Sequence, residues 1–179
     1  MNAIAENPRT RHVETPDHAA PSLLSVDLVE RSYRASSFPA DWSREQRERA
    51  LRRYERFLLL VARDVDAPAT PTRDIDEMWH LHMLHPVAYQ RDCARLFGGT
   101  LDHDGGFGND PAELPVLQDA FRAFARRWRE AYDEPYVEGM SDDEAATNCW
   151  HDCTGRCWHA CKSVSASKND AGASATTSP

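Results

Sequence analysis

Lysine is nearly missing from this chain. Lys162 and Lys168 are its only two, both close to the end. The net charge is −8, so no basic excess exists of the kind that a general nucleic-acid binder carries. Arginines do cluster in "SREQRERALRRYERF", but Glu45, Glu48 and Glu55 are interleaved with them, which is the pattern of a solvated helix face. Long apolar runs are also missing, and nothing approaches the length of a membrane span. The opening "MNAIAENPRTRHVETPDHAAP" has no apolar core of a secretory leader, so a cytoplasmic protein is expected. No segment alternates polar and apolar residues with period two, which argues against a sheet. Cysteine is absent until Cys93, and the other four fall between 149 and 161. In a reducing compartment, such a cluster points to bound metal or modification rather than to structural disulfides.

The chain is 41% hydrophobic, enough for a core, and its 179 residues suffice for one domain with tails. Residues 1–22 are polar and proline-punctuated, and are expected to form a disordered arm. "SVDLVERSYRAS" is a short helix candidate that Ser25 can cap. In the next helix Ser43 and Gln46 have capping-box spacing, and Ala50, Tyr54, Phe57, Leu58 and Val61 fall on one face. "DAPATPT" ends it. "DIDEMWHLHML" opens a third helix, with Asp74 and Glu77 spaced as a box. His85-Pro86 breaks it and begins a fourth, in which Tyr89, Cys93, Leu96 and Phe97 share a face before Gly98 stops it. The third and fourth helices are expected to pack as an antiparallel pair. The glycine-rich "GGTLDHDGGFGND" is a loop. A last helix begins near Asp110-Pro111 or somewhat later, with an apolar stripe of Leu114, Leu117, Phe121, Phe124, Ala125, Trp128 and Tyr132. The expected architecture is all-α: a compact domain of about five helices over 23–137, then an acidic, Cys-rich, flexible tail over 138–179. The final "SVSASKNDAGASATTSP" is too polar to offset the entropy of ordering.

Chemistry concentrates in "DIDEMWHLHMLHPVAYQRDCARLFGGTLDHD". At about 100° per residue, Asp76 and His80 share a stripe while His82 lies almost opposite His80. The two histidines therefore cannot grip one ion, and a site at His80 must recruit ligands from elsewhere. His80 is expected to be buried and to pair with Asp76 or His103, because an inward polar stripe needs partners. Asp76, His80, Cys93 and His103 are the candidate core set for zinc or another borderline metal. The same residues also suit a polar staple in a helical core, with Cys93 as a small apolar residue, or a His80–Asp76 catalytic pair. His82 and His85 carry less weight, His85 as a cap for the following helix. Trp79, Trp128 and Phe121 are expected core anchors.

An acidic pair, Trp-His, a tyrosine, a cysteine, Phe-Gly and a histidine near the following loop occur here as Asp76, Glu77, Trp79, His80, Tyr89, Cys93, Phe97, Gly98 and His103. This pattern resembles the glycine-rich domain-containing protein-like family, more weakly upstream over "RRYERFLLLVARD", and across roughly residues 25 to 135. The chain departs from the family pattern in the loop, which reads "LDHDGG". The resemblance implies a helical domain and carries no reaction with it.

"CWHDCTGRCWHAC" nearly repeats itself. Cys149–Cys153 and Cys157–Cys161 are four apart, a spacing that stacks two thiolates on one helix side for a soft metal, Zn²⁺ or Cu(I). His151 and His159 are alternative donors. Other readings are a segment modified by another enzyme, a redox clip, or a helix docked by Trp150 and Trp158. The functional expectation is a cytoplasmic metal-binding or interaction protein, with a protein partner but no nucleic acid or membrane. The alternatives are a metal-dependent or His/Asp enzyme centred on His80, and a folded carrier of a modified Cys-rich peptide.

Overall fold

A computed structural model describes residues 22–103 and 110–148. The arm and the CWHxC repeat, with Cys149, His151, Cys153, Cys157, His159 and Cys161, lie outside the described residues. The described chain is all-α: α1 (Leu28–Ser32), α2 (Arg44–Arg63), α3 (Arg73–Met83), α4 (Pro86–Phe97), α5 (Leu114–Tyr132) and α6 (Asp142–Asn148). Among the described residues there is no strand, and no helix is long and apolar enough to cross a membrane.

α2 organises the core. Its start is fixed by the expected capping box, in which the Ser43 hydroxyl accepts from the Gln46 amide and Gln46 accepts from the Ser43 amide. Ala50, Tyr54, Phe57, Leu58 and Val61 are all buried along one face, and α2 packs against α1, α3, α4 and α5. Phe57 meets Trp79 of α3 and Phe124 of α5, so three helices share one aromatic contact region. Tyr136 extends it: the ring is fully buried beside Phe124 and Trp128, and its hydroxyl donates to the Thr70 carbonyl at 2.8 Å. The chain turns back toward that position through Asp133, which caps α5 in the left-handed region (φ 54°), a conformation aspartate tolerates better than most residues.

Several expected ends move, each because a polar side chain finds a tertiary partner. Asp27, not Ser25, caps α1, accepting from the Glu30 amide at 3.1 Å. Ser25 is held instead by Asp92 of α4. α3 starts after Thr72 without a side-chain cap, and Asp74 forms no box with Glu77. Asp74 accepts from Thr72 and from Arg53 of α2, each at 2.6 Å, so it ties two helices together. α5 begins at Leu114, with Pro115 in its first turn. α3 and α4 are separate packed helices joined through Leu84 and His85, and Gly98 closes α4 at φ 72°. His85 occupies the N-cap position of α4, but its ring bonds back to the Leu81 carbonyl.

α6 lies past the expected domain edge at 137. Ser141 and Glu144 exchange capping contacts, and those hydrogen bonds draw the Glu144 carboxyl below its usual range. Ala145 and Ala146 are buried, and Arg122 and Arg129 of α5 pair with Asp143 and Asp142, each at 2.7 Å. The acidic composition that suggested a tail is thus matched by two arginines on the neighbouring helix.

Candidate metal centre

Asp76 and His80 lie one turn apart on α3, and helical geometry alone sets them side by side. Asp76 Oδ2 is 3.3 Å from His80 Nδ1. The other oxygen, Oδ1, is 2.9 Å from Nε2 of His103. One carboxylate therefore faces two imidazoles, one from its own helix and one from the segment after α4. Donor atoms of the three residues all lie within 4.8 Å of one another. They form the one such group of three or more His, Cys, Asp or Glu side chains among the described residues.

His103 is delivered there by a hydrogen-bond relay. Trp79 Nε1 donates to the Tyr89 hydroxyl at 2.9 Å, and that hydroxyl donates to the Leu101 carbonyl. A side chain of α3 and one of α4 thus pin the backbone two residues before His103. The His103 ring then packs on Trp79, with centroids 4.4 Å apart, and beside His80, 4.8 Å apart and inclined by only 31°. Its side chain is 3% exposed, as is that of Asp76. His80 differs from expectation: it is paired with Asp76, but its side chain is 40% exposed. Its stripe lies at the edge of the core, so the centre has a sealed side and an open side.

Cys93 does not join the cluster. It is buried on α4, in contact with Tyr89 and the Leu101 backbone. Burial pushes its thiol up, so the thiolate that a metal requires is disfavoured. The expected four-residue core set reduces to Asp76, His80 and His103.

A second histidine–carboxylate pair, passed over in the sequence, lies on the other side of α3. His82 is 1% exposed and Asp92 2%. His82 Nδ1 bonds the Tyr54 hydroxyl at 3.0 Å. Its Nε2 is 3.3 Å from Asp92 Oδ2, but without hydrogen-bond alignment. Asp92 also accepts from the Ser25 amide at 2.7 Å and the Ser25 hydroxyl at 3.0 Å, and Oδ1 is 3.3 Å from Arg95. Burial drives the His82 pKa down to about 4, against the opposing pull of Asp92. The ring is therefore neutral at physiological pH and joins α2, α3, α4 and the segment before α1. The readable signal was Asp92 itself, an acid beside Cys93 on the apolar face of α4.

The family model described as glycine-rich domain-containing protein-like matches residues 4–92. The chain belongs to this family. The matched stretch holds Asp76, His80, His82 and Asp92, while His103 falls beyond it. Glycine-rich domain-containing protein 1 of Arabidopsis thaliana is 32% identical over 128 residues, which cover 66% of this chain and 16% of that protein. Glycine-rich domain-containing protein 2 of the same plant is 31% identical over 93 residues, covering 50% of this chain and 12% of that protein. The chain thus spans a small part of the length of these relatives. No solved structure matches it.

Proposed function

We propose that this chain is a cytoplasmic metal-binding module whose core site is Asp76, His80 and His103. The observation that carries the proposal is the convergence of two imidazoles on the two oxygens of one buried carboxylate. A polar staple needs one partner per group. Here a second histidine is brought from a different segment onto an acid already paired with the first. Imidazole nitrogen and carboxylate oxygen together suit Zn²⁺ and other borderline divalent ions. An ion would replace the proton that His103 Nε2 donates to Asp76, so uptake would release protons and weaken as the pH falls. The CWHxC repeat is proposed as a separate thiolate site for Zn²⁺ or Cu(I), on the warrant of its cysteine spacing.

A metal-dependent enzyme centred on His80 is the second reading. It is favoured by the 40% exposure of that side chain, which gives an external molecule access to the centre. The test is titration of the full chain with Zn²⁺, followed by metal analysis after desalting, beside Asp76→Ala and His103→Ala. Loss of one bound equivalent in both variants supports the core site. Equal metal in all three proteins, with altered stability in the variants, makes the cluster a structural staple.

A further inference from the structure

We propose that the cavity beside α1 binds a small phosphate monoester that also carries an ammonium group. The cavity shares no residue with the Asp76 centre and needs no metal, so the two readings stand or fall separately.

Three features carry it. The first is a hollow lined by two uncommitted cations. An open cavity of about 440 Å³ is bounded by Ser25, Val26, Asp27, Glu30, Arg31 and Arg34. That volume falls within the range of small-molecule sites. Arg31 and Arg34 sit on one turn, held by the bond from the Arg34 amide to the Arg31 carbonyl at 3.0 Å. Both side chains are exposed, and among the described residues neither guanidinium has an ion pair or a side-chain hydrogen bond. Two planar forks match the several oxygens and double charge of a phosphate monoester better than the single charge of one carboxylate.

The second is the charge behind that turn. Arg47 is 2% exposed, and its guanidinium donates to the Trp42 carbonyl, the Ser32 hydroxyl and the Pro39 carbonyl at 2.7–2.9 Å. All three acceptors are neutral, so no carboxylate offsets this buried charge among the described residues. The guanidinium also lies 4.4 Å from the centre of the Tyr33 ring, which is carried by the same turn as Arg31 and Arg34. A charge held in low dielectric is screened less than a solvated one, and it favours an anion at this turn in a chain whose net charge is −8.

The third is the pair of acids on the same wall. Asp27 accepts the Glu30 amide through Oδ1, and Glu30 meets Arg44 through Oε1 at 3.3 Å. Each carboxylate thus has one oxygen engaged and another left to accept. A purely anionic ligand is repelled by them, whereas an ammonium group is drawn to them. The matching molecule places its phosphate at Arg31 and Arg34 and its ammonium at Asp27 and Glu30. A phospholipid diester brings only one negative charge to two guanidinia, so the source is a free monoester. Binding is noncovalent, and no bond forms or breaks.

The experiment follows backbone amide NMR signals of the full, metal-free chain during titration with O-phosphoethanolamine, beside inorganic phosphate and ethanolamine. Saturable shifts centred on residues 25–34 are expected, with a dissociation constant of about 1 mM or lower, as solvated charge contacts allow. Inorganic phosphate should bind about fivefold more weakly, and ethanolamine should not saturate. Arg31→Ala and Arg34→Ala should each weaken binding by about tenfold, with an unchanged melting temperature because both side chains are exposed. Asp27→Asn keeps the cap of α1, since asparagine caps as well as aspartate, and should lower the affinity for O-phosphoethanolamine toward that for inorganic phosphate. Absence of saturation up to about 20 mM overturns the inference. Equal affinity for inorganic phosphate, which marks an adventitious ion only, also overturns it. So does undiminished binding in both arginine variants, or association with phosphatidylethanolamine vesicles without binding of the free monoester.

Discussion

His80 and His82 are two residues apart on one helix, and each faces an aspartate at 3.3 Å. Their surroundings are opposite. His82 is closed in by Tyr54 and Asp92, with a side chain only 1% exposed. His80 stands at a surface, shares its aspartate with His103, and is 40% exposed. The difference shows that an Asp–His pair has no function of its own. A pair sealed on every side can hold helices together, while one that recruits a further donor and keeps a path to solvent can hold an ion.

The largest expected effect separates the two by stability. Asp92→Ala removes the acceptor for both Ser25 donors, together with the partner of Arg95 and His82. Breaking a buried charged network of this kind costs about 4 kcal/mol. Asp76→Ala in metal-free protein should cost about 1 kcal/mol, because one of its partners is already hydrated. Urea unfolding of the two variants measures both. A larger loss at Asp76 than at Asp92 would reverse the assignment of staple and site.

Next is acidity. The native His82 pKa of about 4 lies below the ordinary 6.5, so the folded ring stays neutral while the unfolded chain takes up a proton. The associated stability is fully present above about pH 6.5 and is lost as the pH falls toward 4. It amounts to roughly 3 kcal/mol. His82→Phe should flatten this part of the stability profile, as read from urea midpoints between those limits. An unchanged slope would mean that His82 is hydrated in solution.

Metal affinity sharpens the contrast from the other side. His103→Ala should weaken Zn²⁺ binding to the core by about 100-fold, equivalent to about 2.7 kcal/mol, in calorimetric titrations of the chain with its four tail cysteines changed to serine. His82→Phe should leave that affinity within about threefold, since its ring points to other partners. Equal losses would mean that both histidines act only through the packing of α3.

The smallest effect concerns one hydroxyl. Tyr54→Phe leaves His82 Nδ1 without the partner it has at 3.0 Å, and should cost about 1–2 kcal/mol in thermal or urea unfolding. No change in Zn²⁺ uptake should accompany it. A loss of metal in this variant would couple the two faces of α3.

Local pattern alone determined much of this molecule. The Ser43 box, the buried face of α2, the Pro86 start and the Gly98 end of α4 all follow from neighbours within one or two helical turns. So does the opposition of His80 and His82, because a helix turns about 100° per residue wherever it is placed. Tertiary structure alone decided which residues meet across segments. It brought His103 to Asp76 through Tyr89 and Leu101, set Asp92 against Ser25 and His82, turned Cys93 away, and packed α6 on α5. These partners are separated by between 10 and 67 positions along the chain. Sequence spacing carries no information on such meetings, which depend on how the helices dock and on which buried polar groups must then find one another.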